Sequence, residues 1–371
     1  MFHLRIILAL AVLALGACAT RPPGIGERVD WSALQGWEAD NHAEAWEGLL
    51  RSCDKLAELQ WRRVCDLART AGTPSDDEAK AFFEAHFDLR PVYAQDGQSE
   101  GLVTGYYEPL LRGSRAPTDE YRYPLHGVPD DLLVVDLGAV YPQLKNLRLR
   151  GKLVGNRVVP YHDRAQLDAN PELLSGAEIL WVDSAVDAFF LHVQGSGRVR
   201  LDDGSTVAVG YANQNGHPYQ SIGRVLIDMG ALQQEEVSLF TIRDWLRDNP
   251  EIAADVLASN PSYVFFTMKE DTDDGPVDSL NVPLTPERSI AVDRRVIPLG
   301  APVWLQTSLP DERATPFNRL MLAQDTGGAI KGHVRADVFW GRGLYAERMA
   351  GLMKQPGQLF VLLPKGYQVR Q

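Results

Sequence analysis

The chain has 371 residues, 45% hydrophobic and 23% charged, which is the composition of a globular protein of about two domains. Its formal net charge of −12 leaves no basic field, so nucleic acids and anionic bilayer surfaces would be repelled at long range. Composition therefore argues against both kinds of partner.

The first residues have the pattern of a secretory signal. His3 and Arg5 precede an uncharged run over residues 6–17, which is too short to span a bilayer as a stable helix. The run ends in Leu-Gly-Ala-Cys at residues 15–18, which resembles a bacterial lipobox. The pattern predicts secretion, with an ordinary signal peptide and a chance cysteine as the alternative to lipidation.

Cleavage before Cys18 would make this cysteine a lipidated N-terminus. We therefore expect a signal peptide over residues 1–17, and a lipidated N-terminus and linker over residues 18–30. The residue after the cysteine is Ala19 and not Asp, which resembles the pattern of lipoproteins sorted to the outer membrane. The expected location is the outer membrane, as a lipoprotein that faces the periplasm and contacts the membrane through its lipid alone.

The segment from residue 31 to 71 has helical periodicity, because its apolar residues recur at three- and four-residue steps. A further helix start follows at residues 73–78, where a proline precedes several acids. Cys53 and Cys65 lie in the helical segment, twelve positions apart, and bridging them would need a turn between them. A disulfide and two buried free thiols both remain open.

Beyond residue 87 the chain has the texture of a β protein, with short apolar runs between Gly, Pro and Asp turns. Helices are expected only at residues 222–231 and 239–246. The predicted strands are 102–107, 132–135, 153–154, 157–159, 179–182, 188–193, 263–268, 289–292, 302–306, 320–323, 337–340 and 357–363. The six strands of the last third would suffice for a small closed barrel, since closure removes exposed edges.

One stretch, residues 321–341, carries Asp-Thr-Gly after an apolar run, as the active-site loop of an aspartic protease does. Protease catalysis of that kind needs two carboxylates that share a proton, and each lobe supplies one such motif. This chain has a single copy, at Asp325, and the Gly-Gly-Ala-Ile-Lys-Gly sequence that follows does not fit. The sequence therefore argues against a protease.

A second acid on the same stretch is more informative. Asp325 ends one predicted strand and Asp337 begins the next, so a strand-loop-strand would bring both carboxylates to one rim of the sheet. Asp337 precedes Val-Phe-Trp, and apolar neighbours favour the neutral carboxylic acid that a proton donor requires. The alternative is that both acids only form turns or accept N–H groups, with ordinary pKa values.

Several ordered motifs together resemble the membrane-bound lytic murein transglycosylase A family. The resemblance covers most of the mature chain and is more specific than any single motif. The matching segments are Gly101–Pro109, Trp181–Asp183, His192–Gly197, Gly210–Tyr219, Ser289–Asp293, Val296–Gly300, Gln324–His333 and Ala336–Gly341.

The resemblance implies a mainly β protein with N-terminal helices, in which a double-psi β-barrel domain carries a second, inserted β-domain and a groove lies between them. Residues 31–110 would form the helical N-terminal part of the barrel domain. Residues 111–235 would form the insert. Residues 236–371 would complete the barrel and carry the catalytic motif.

It also implies the activity, which is cleavage of the β-1,4 bond between N-acetylmuramic acid and N-acetylglucosamine with formation of a 1,6-anhydro ring. In the family one aspartate, in the position of Asp337, acts as acid and base, and Asp325 matches a second aspartate nearby. The substrate would be peptidoglycan glycan strands, and cell-wall synthesis proteins are further candidate partners. The sequence shows no site for a cofactor or a metal.

Other residues of the motifs are candidates for binding sugar, either as flat rings or as hydrogen-bonding groups. The candidates are Thr104, Tyr106, Tyr107, Glu108, Gln194, Ser196, Tyr211, Asn213, Lys331 and Trp340. Core packing is the alternative for each aromatic ring. Glu108 is the main rival acid, although it could also pair with an arginine. His162, His192 and His333 are expected to be structural.

Two other functions remain open. A non-catalytic wall-binding protein of the expansin-like kind would share the groove but release no product. A hydrolytic glycosidase would release a reducing end instead of an anhydro sugar.

Overall fold

The structure is a computed structural model that describes residues 21–144, 147, 149–272 and 274–369. The predicted signal sequence and Cys18 lie outside the described residues. Among the described helices, none combines the length and the apolar character that crossing a bilayer requires.

The N-terminal segment is helical, as its periodicity predicts. Three short 3₁₀ turns, at Trp31–Ala33, Trp37–Ala39 and His42–Ala45, precede the helices α1 (Trp46–Cys53), α2 (Leu59–Ala71) and α3 (Asp76–His86). A capping box of Ser75 and Glu78 starts α3. Apolar faces of these helices join the main core of the molecule, where Trp37, Leu49 and Trp61 are buried.

Cys53 and Cys65 form a disulfide, which resolves the alternative that the sequence left open. Cys53 ends α1 and Cys65 lies inside α2, so the turn between the two helices supplies the reversal that bridging requires. The bridge therefore closes a helical hairpin against the barrel.

We expect the Cys53→Ser, Cys65→Ser double variant to lose about 3 kcal/mol of unfolding free energy, because opening a loop of roughly this length restores chain entropy to the unfolded state. Denaturant unfolding with and without a reductant measures the loss. Reductant should destabilise the wild type by a similar amount and leave the variant unchanged. Equal stability of the oxidised wild type and the variant would contradict the prediction.

The remaining elements within the described residues are seventeen strands, six further α-helices and two 3₁₀ turns, at Pro142–Leu144 and Pro171–Leu174. The strands are β1 (Gly24–Ile25), β2 (Phe87–Tyr93), β3 (Glu100–Glu108), β4 (Leu110–Ser114), β5 (Tyr123–His126), β6 (Leu133–Val134), β7 (Arg150–Val154), β8 (Arg157–Pro160), β9 (Glu178–Val182), β10 (Gly197–Leu201), β11 (Thr206–Gln214), β12 (Val264–Lys269), β13 (Ser289–Val292), β14 (Pro302–Ser308), β15 (Pro316–Asp325), β16 (Arg335–Arg342) and β17 (Lys354–Pro364). The helices are α4 (Arg164–Ala169), α5 (Ala185–Gln194), α6 (Ile222–Asp228), α7 (Leu239–Asp248), α8 (Pro250–Ala258) and α9 (Leu344–Leu352).

Six strands close into a barrel in the order β17-β14-β15-β13-β16-β3, with β3 pairing back onto β17. The pairs β13–β15 and β16–β3 are parallel, and the other pairs of the ring are antiparallel. The far half of β17 continues into β2 and β1, which extend the sheet beyond the ring. Closure pairs every strand of the ring on both sides and gives a double-psi barrel.

The inserted domain is built on a six-stranded sheet in the order β12-β11-β10-β4-β9-β5, and a small three-stranded sheet, β6-β7-β8, is attached to it. Leu125, Leu180 and Val199 are fully buried in the core of the larger sheet. A separate cluster joins helices α5 to α8, with Phe189 and Leu226 among its buried members. The insert therefore has its own core, distinct from that of the barrel.

Residues 188–193, predicted as a strand, form most of α5, so this prediction is wrong. Ser184 caps the helix and Gly195 ends it with a left-handed backbone, φ +85°. The run is apolar almost throughout because one face packs on α6 to α8 and another on the sheet. A short continuous apolar run does not distinguish a buried strand from a buried helix.

The predicted boundary at residue 235 also differs from the observed pairing. Strand β12 pairs antiparallel with β11 and so belongs to the sheet of the insert, and α7 and α8 pack in the helical cluster beside it. The barrel therefore takes five strands from the last third of the chain, and its sixth is β3 from residues 100–108. Periodicity identifies a strand at 263–268 but not the sheet that it joins.

Candidate active site

Asp325 and Asp337 lie on either side of the same strand. Both are register partners of Ala291 in β13, which is flanked by β15 and β16. With two strand spacings between them, their Cα atoms are about 10 Å apart. Ala291 packs with Tyr106 and Phe339 in a small cluster on the outer face of the barrel, so the two acids share this face.

Asp337 is partly exposed and is held by its neighbour in the parallel strand β3. The Thr104 hydroxyl donates a hydrogen bond of 2.5 Å to Asp337 Oδ1, and the Arg335 guanidinium donates to the same threonine oxygen at 2.8 Å. Burial raises the pKa of the Asp337 carboxyl, the Arg335 charge and the Thr104 hydrogen bond lower it, and Asp325 raises it. The net direction is upward, which favours the protonated acid.

Asp325 is buried at the end of β15 and is more strongly hydrogen bonded. Its Oδ1 accepts from the Thr326 N–H at 2.7 Å, the Ser279 hydroxyl at 2.8 Å and the Ser279 N–H at 3.2 Å. Burial raises the pKa of Asp325, and these donors oppose the shift. The carboxyl thus fixes the 278–280 segment against the start of the glycine-rich loop.

Sequence reasoning missed Asp278. Burial raises the pKa of Asp278 well above its usual range, and the adjacent Asp325 charge raises it further. The next residue, Ser279, donates a hydrogen bond to Asp325. The carboxyl of Asp278 is therefore a third acid beside Asp325 and Asp337. The segment around Asp278 has no regular pattern, so no sequence signal points to it.

The insert reaches the acid-bearing face through Tyr219, which was also missed as a site residue, although it ends one of the quoted motifs. A Cβ added to Gly328 would lie 3.8 Å from the Tyr219 Cβ. Burial raises the pKa of the Tyr219 hydroxyl, and the Asp337 charge raises it too. The two domains therefore meet across a groove at this pair of acids.

The glycine-rich loop between the acids is fastened to β13 by Asp293. The buried Asp293 carboxylate accepts from the Gly332 N–H at 3.0 Å and from the Arg295 guanidinium at 2.9 Å. Although burial alone would raise its pKa, the bonds to Arg295 and Gly332 hold the pKa of Asp293 at about 2. A permanently charged anchor therefore positions the loop from which Asp337 emerges.

The rival acid Glu108 is engaged elsewhere. It is 4% exposed and accepts a hydrogen bond of 3.0 Å from the Arg198 guanidinium, which is 6% exposed. Arg198 also pairs with Asp271 and donates to the Asp274 carbonyl at 3.2 Å. Arg198 thus joins the two segments that cross between the domains, and Glu108 lies in a structural ion pair.

The predicted aromatic sugar platforms are mostly packed inside the protein. Tyr107 and Trp340 belong to the main core, with Trp340 beside Phe317 at a ring-centroid distance of 5.1 Å. Tyr106 is buried against Phe339, and its hydroxyl has no hydrogen-bond partner of good geometry among the described residues. The expectation of open ring faces does not hold for Tyr106, Tyr107 and Trp340, because strand alternation places two of them inside the barrel.

The other candidates differ in their partners and in their exposure. Gln194 accepts a hydrogen bond from the Tyr107 N–H at 3.0 Å, and Asn213 accepts one from Arg150 at 2.7 Å. Ser196 is buried beside the end of α5. Tyr211 is half-buried on the sheet of the insert, and Lys331 is exposed on the glycine-rich loop.

His192 is structural as expected: its Nδ1 accepts from the Val264 N–H at 3.3 Å and lies 3.1 Å from Arg164. Burial lowers the pKa of His192 well below its usual range. The residues that the structure describes contain no group of three His, Cys, Asp or Glu side chains that could hold a metal ion.

Comparison with known proteins matches this architecture. Residues 102–267 match the MltA specific insert domain, and residues 288–363 match the 3D domain. The chain is 30% identical over 379 residues to the membrane-bound lytic murein transglycosylase A of Escherichia coli strain K12, an alignment covering 96% of this chain and 94% of that protein.

Solved structures agree with this match. The membrane-bound lytic murein transglycosylase from Agrobacterium tumefaciens has a TM-score of 0.81 at 32% identity, covering 92% of this chain and 98% of that one. The structure of E. coli MltA with bound chitohexaose has a TM-score of 0.69 at 26% identity, covering 93% and 95%.

The double-psi barrel, its inserted β-domain and the acids that face the groove define a peptidoglycan lytic transglycosylase. The recognised motifs extend over residues 101–341, and the aligned relatives are matched over nearly their full length. The chain belongs to the membrane-bound lytic murein transglycosylase A family.

Proposed function

We propose that this enzyme cleaves the bond between N-acetylmuramic acid and N-acetylglucosamine, leaves a 1,6-anhydro ring on the muramoyl product, and uses Asp337 as its acid and base. The observation that carries the proposal is the position of Asp337, partly exposed on the groove face of the barrel with a raised pKa. A raised pKa favours the protonated carboxyl, which is the form that can protonate a leaving oxygen.

In the first step, neutral Asp337 gives its proton to the glycosidic oxygen as the bond from that oxygen to the muramoyl C1 breaks. In the second step, the Asp337 carboxylate accepts the proton of the muramoyl C6 hydroxyl, whose oxygen forms a bond to C1. The proton returns to the carboxyl, so no water is consumed. Intramolecular attack gains from proximity, and the nucleophile need not come from the protein.

We assign Asp325 a supporting part in this reaction. Its hydrogen bonds to Ser279 and Thr326 hold the segment around residue 279 against the start of the glycine-rich loop, beside Ala291. Its negative field also acts on Asp337 and favours the protonated form of that acid. These contacts support a positioning and electrostatic role.

A hydrolase remains the second candidate, because of one specific observation. The Cα separation of about 10 Å between Asp325 and Asp337 is compatible with the carboxyl spacing of about 6.5–9.5 Å in inverting glycosidases. Such an enzyme would activate a water with the second carboxylate. The single-acid mechanism is favoured because Asp325 is buried and already accepts three hydrogen bonds.

Mass spectrometry of digested sacculi tests the proposal. Anhydro products are lighter than hydrolytic products by about 18 Da, the mass of the water that hydrolysis adds. Anhydromuramoyl ends are the expected result. Reducing ends would support the hydrolase, and binding without any released product would support an expansin-like wall-binding protein.

The hydrogen bond from Thr104 to Asp337 should affect how the rate depends on pH. This bond lowers the pKa of Asp337, so Thr104→Val should raise that pKa further. A group that must be protonated loses activity as pH rises through its pKa, so the alkaline limb of the rate profile should move to higher pH. Thr70→Val, a change on an exposed helix, is the matched control. An unchanged alkaline limb would contradict the assignment of Asp337 as the acid.

We further propose that the enzyme is an outer-membrane lipoprotein anchored through Cys18 and that it takes glycan strands of peptidoglycan in the groove. The lipobox-like sequence at residues 15–18 supports the anchor, and the chitohexaose bound to the E. coli relative supports glycan binding. The candidate sugar contacts on the groove are Gln194, Asn213 and Lys331, with Tyr219 added. Metabolic labelling with a palmitate analogue, lost in Cys18→Ala, tests the anchor.

A further inference from the structure

A cavity of about 260 Å³ lies beside strand β3, where helices α5, α7 and α9 converge on the barrel. Of its lining residues, Thr104 also contacts the acid Asp337. Apolar residues make up most of its wall. The lining includes Leu102, Thr104, Val193, Ile242, Leu352 and Lys354.

The cavity and the acid have one neighbour in common, Thr104. Thr104 and Asp337 are register partners in the parallel pair β3–β16, and their side chains are hydrogen bonded at 2.5 Å. Leu102 lies two residues from Thr104 and so points to the same face of β3, whereas Gly105 and Tyr107, which also line the cavity, lie on the alternate face with Val103. The cavity therefore begins one side chain away from the reacting atoms.

The exposed side chains at this cavity do not suit a sugar. Leu102, Val193 and Leu352 are 43%, 39% and 38% exposed, an unusual amount of aliphatic surface around one cavity. Tyr107 and Phe190 also line it, but both are buried, so neither offers a free ring face to a pyranose. Exposed aliphatic side chains would pack best against a ligand group that carries methyls.

The substrate has such groups on the same ring as the reacting carbon. In a muramoyl residue, C2 carries an acetamido group, and C3 carries a lactyl ether that continues into a short peptide whose first residue is alanine. The acetamido methyl occurs on every unit of the glycan, whereas the lactyl group and the alanine add two methyl-bearing units to the muramoyl ring alone and extend further from it. A group attached to the same ring as C1 must lie close to Asp337 when C1 reacts.

We propose that this cavity receives the lactyl group and the first residues of the stem peptide of the muramoyl unit whose C1 is attacked. The inference rests on the proposed function and adds a substrate preference to it. Peptide-bearing strands would then be bound more tightly than bare glycan at the reacting unit. Each methyl that leaves water contributes to this preference.

The polar edge of the cavity fits the continuation of the same peptide. Lys354, an exposed residue, lines the cavity and donates to the Gln234 carbonyl at 2.9 Å. A positive charge at the edge of the cavity would attract the carboxylates that a stem peptide carries beyond its first alanine. Ser238 and Gln194 provide further hydrogen-bonding groups at the cavity.

The test compares one preparation of uncrosslinked glycan strands before and after an amidase has removed the stem peptides, with anhydro products measured by mass spectrometry. For the wild type we expect kcat/KM to be about tenfold higher on peptide-bearing strands, as burial of one or two small apolar groups would give. Val193→Trp, which fills the cavity, should reduce this ratio towards 1.

Lys354→Glu is a second variant, at an exposed position where misfolding is not expected, and it should also lower the ratio. Val128→Trp is the matched control, since Val128 is 41% exposed and does not line the cavity; it should keep the wild-type ratio. A wild-type ratio near 1 with anhydro products would overturn the inference alone. Absence of anhydro products from both substrates would overturn the proposed function and the inference with it.

Discussion

Replacing Asp337 by Asn should reduce kcat by a factor of about 10² to 10⁴, the usual contribution of a positioned general acid and base. Asparagine has nearly the same shape but cannot give a proton to the leaving oxygen or take one from the C6 hydroxyl. The carboxyl is favoured in its neutral form by burial, so the amide should cost little stability. Release of soluble muropeptides from sacculi measures the rate.

Two controls accompany this variant. Asp130→Asn changes an exposed aspartate of the insert and should keep the wild-type rate. Sedimentation with sacculi should show that Asp337→Asn still binds glycan, because the groove is unchanged. If Asp337→Asn retained most of the wild-type rate, the acid would have to be Asp325 or Asp278, and the single-acid mechanism would be abandoned.

Replacing Arg198 by Met should destabilise the fold by about 3–5 kcal/mol, because it leaves the buried Glu108 carboxylate without its partner. The cost is large since both groups lie almost out of reach of water. Arg198 also binds the segment at residues 271–274, so part of the effect should be a looser connection between the two domains. Denaturant unfolding measures the stability, and limited proteolysis in the 270–275 segment measures the loosening.

Arg200→Met is the matched control, because Arg200 lies two residues further along β10 with its side chain exposed. It should change the unfolding free energy by less than about 0.5 kcal/mol. Adding Glu108→Gln to Arg198→Met should recover part of the lost stability by removing the uncompensated charge. A loss of under 1 kcal/mol for Arg198→Met would show that the ion pair does not hold the junction together.

The ordered motifs were sufficient to predict the double-psi barrel, the inserted domain and the groove. Local pattern also predicted most barrel strands, since alternation and turn residues are properties of short segments. It did not predict α5, because a helix buried on several sides is apolar throughout. The sheet that β12 joins could not be predicted either, because strand pairing depends on residues that are distant in sequence.

In the site too, features set by local sequence could be predicted and features set by tertiary packing could not. That Asp325 and Asp337 lie on the same side of the sheet could be predicted, since both ends of the connecting loop lie close in sequence. The insertion of β13 between their strands could not, because strand pairing depends on distant residues. Asp278 and Tyr219 could not, because they reach the acids only through tertiary packing. For Tyr107 and Trp340 the alternative of core packing holds, because residue type alone does not give the inward or outward phase of a strand.

The barrel's closure by β3 has a consequence for how the enzyme is made. Thr104 and Asp337 form their hydrogen bond across 233 positions of chain, and the whole insert lies between them in sequence. The insert can complete its own sheet while the nascent polypeptide is still growing, whereas the barrel waits for strands synthesised much later, a slow, non-local step. A partly synthesised chain would therefore contain a folded insert but lack Asp337 in its place beside Thr104. Lytic activity should accordingly appear only when synthesis is nearly complete.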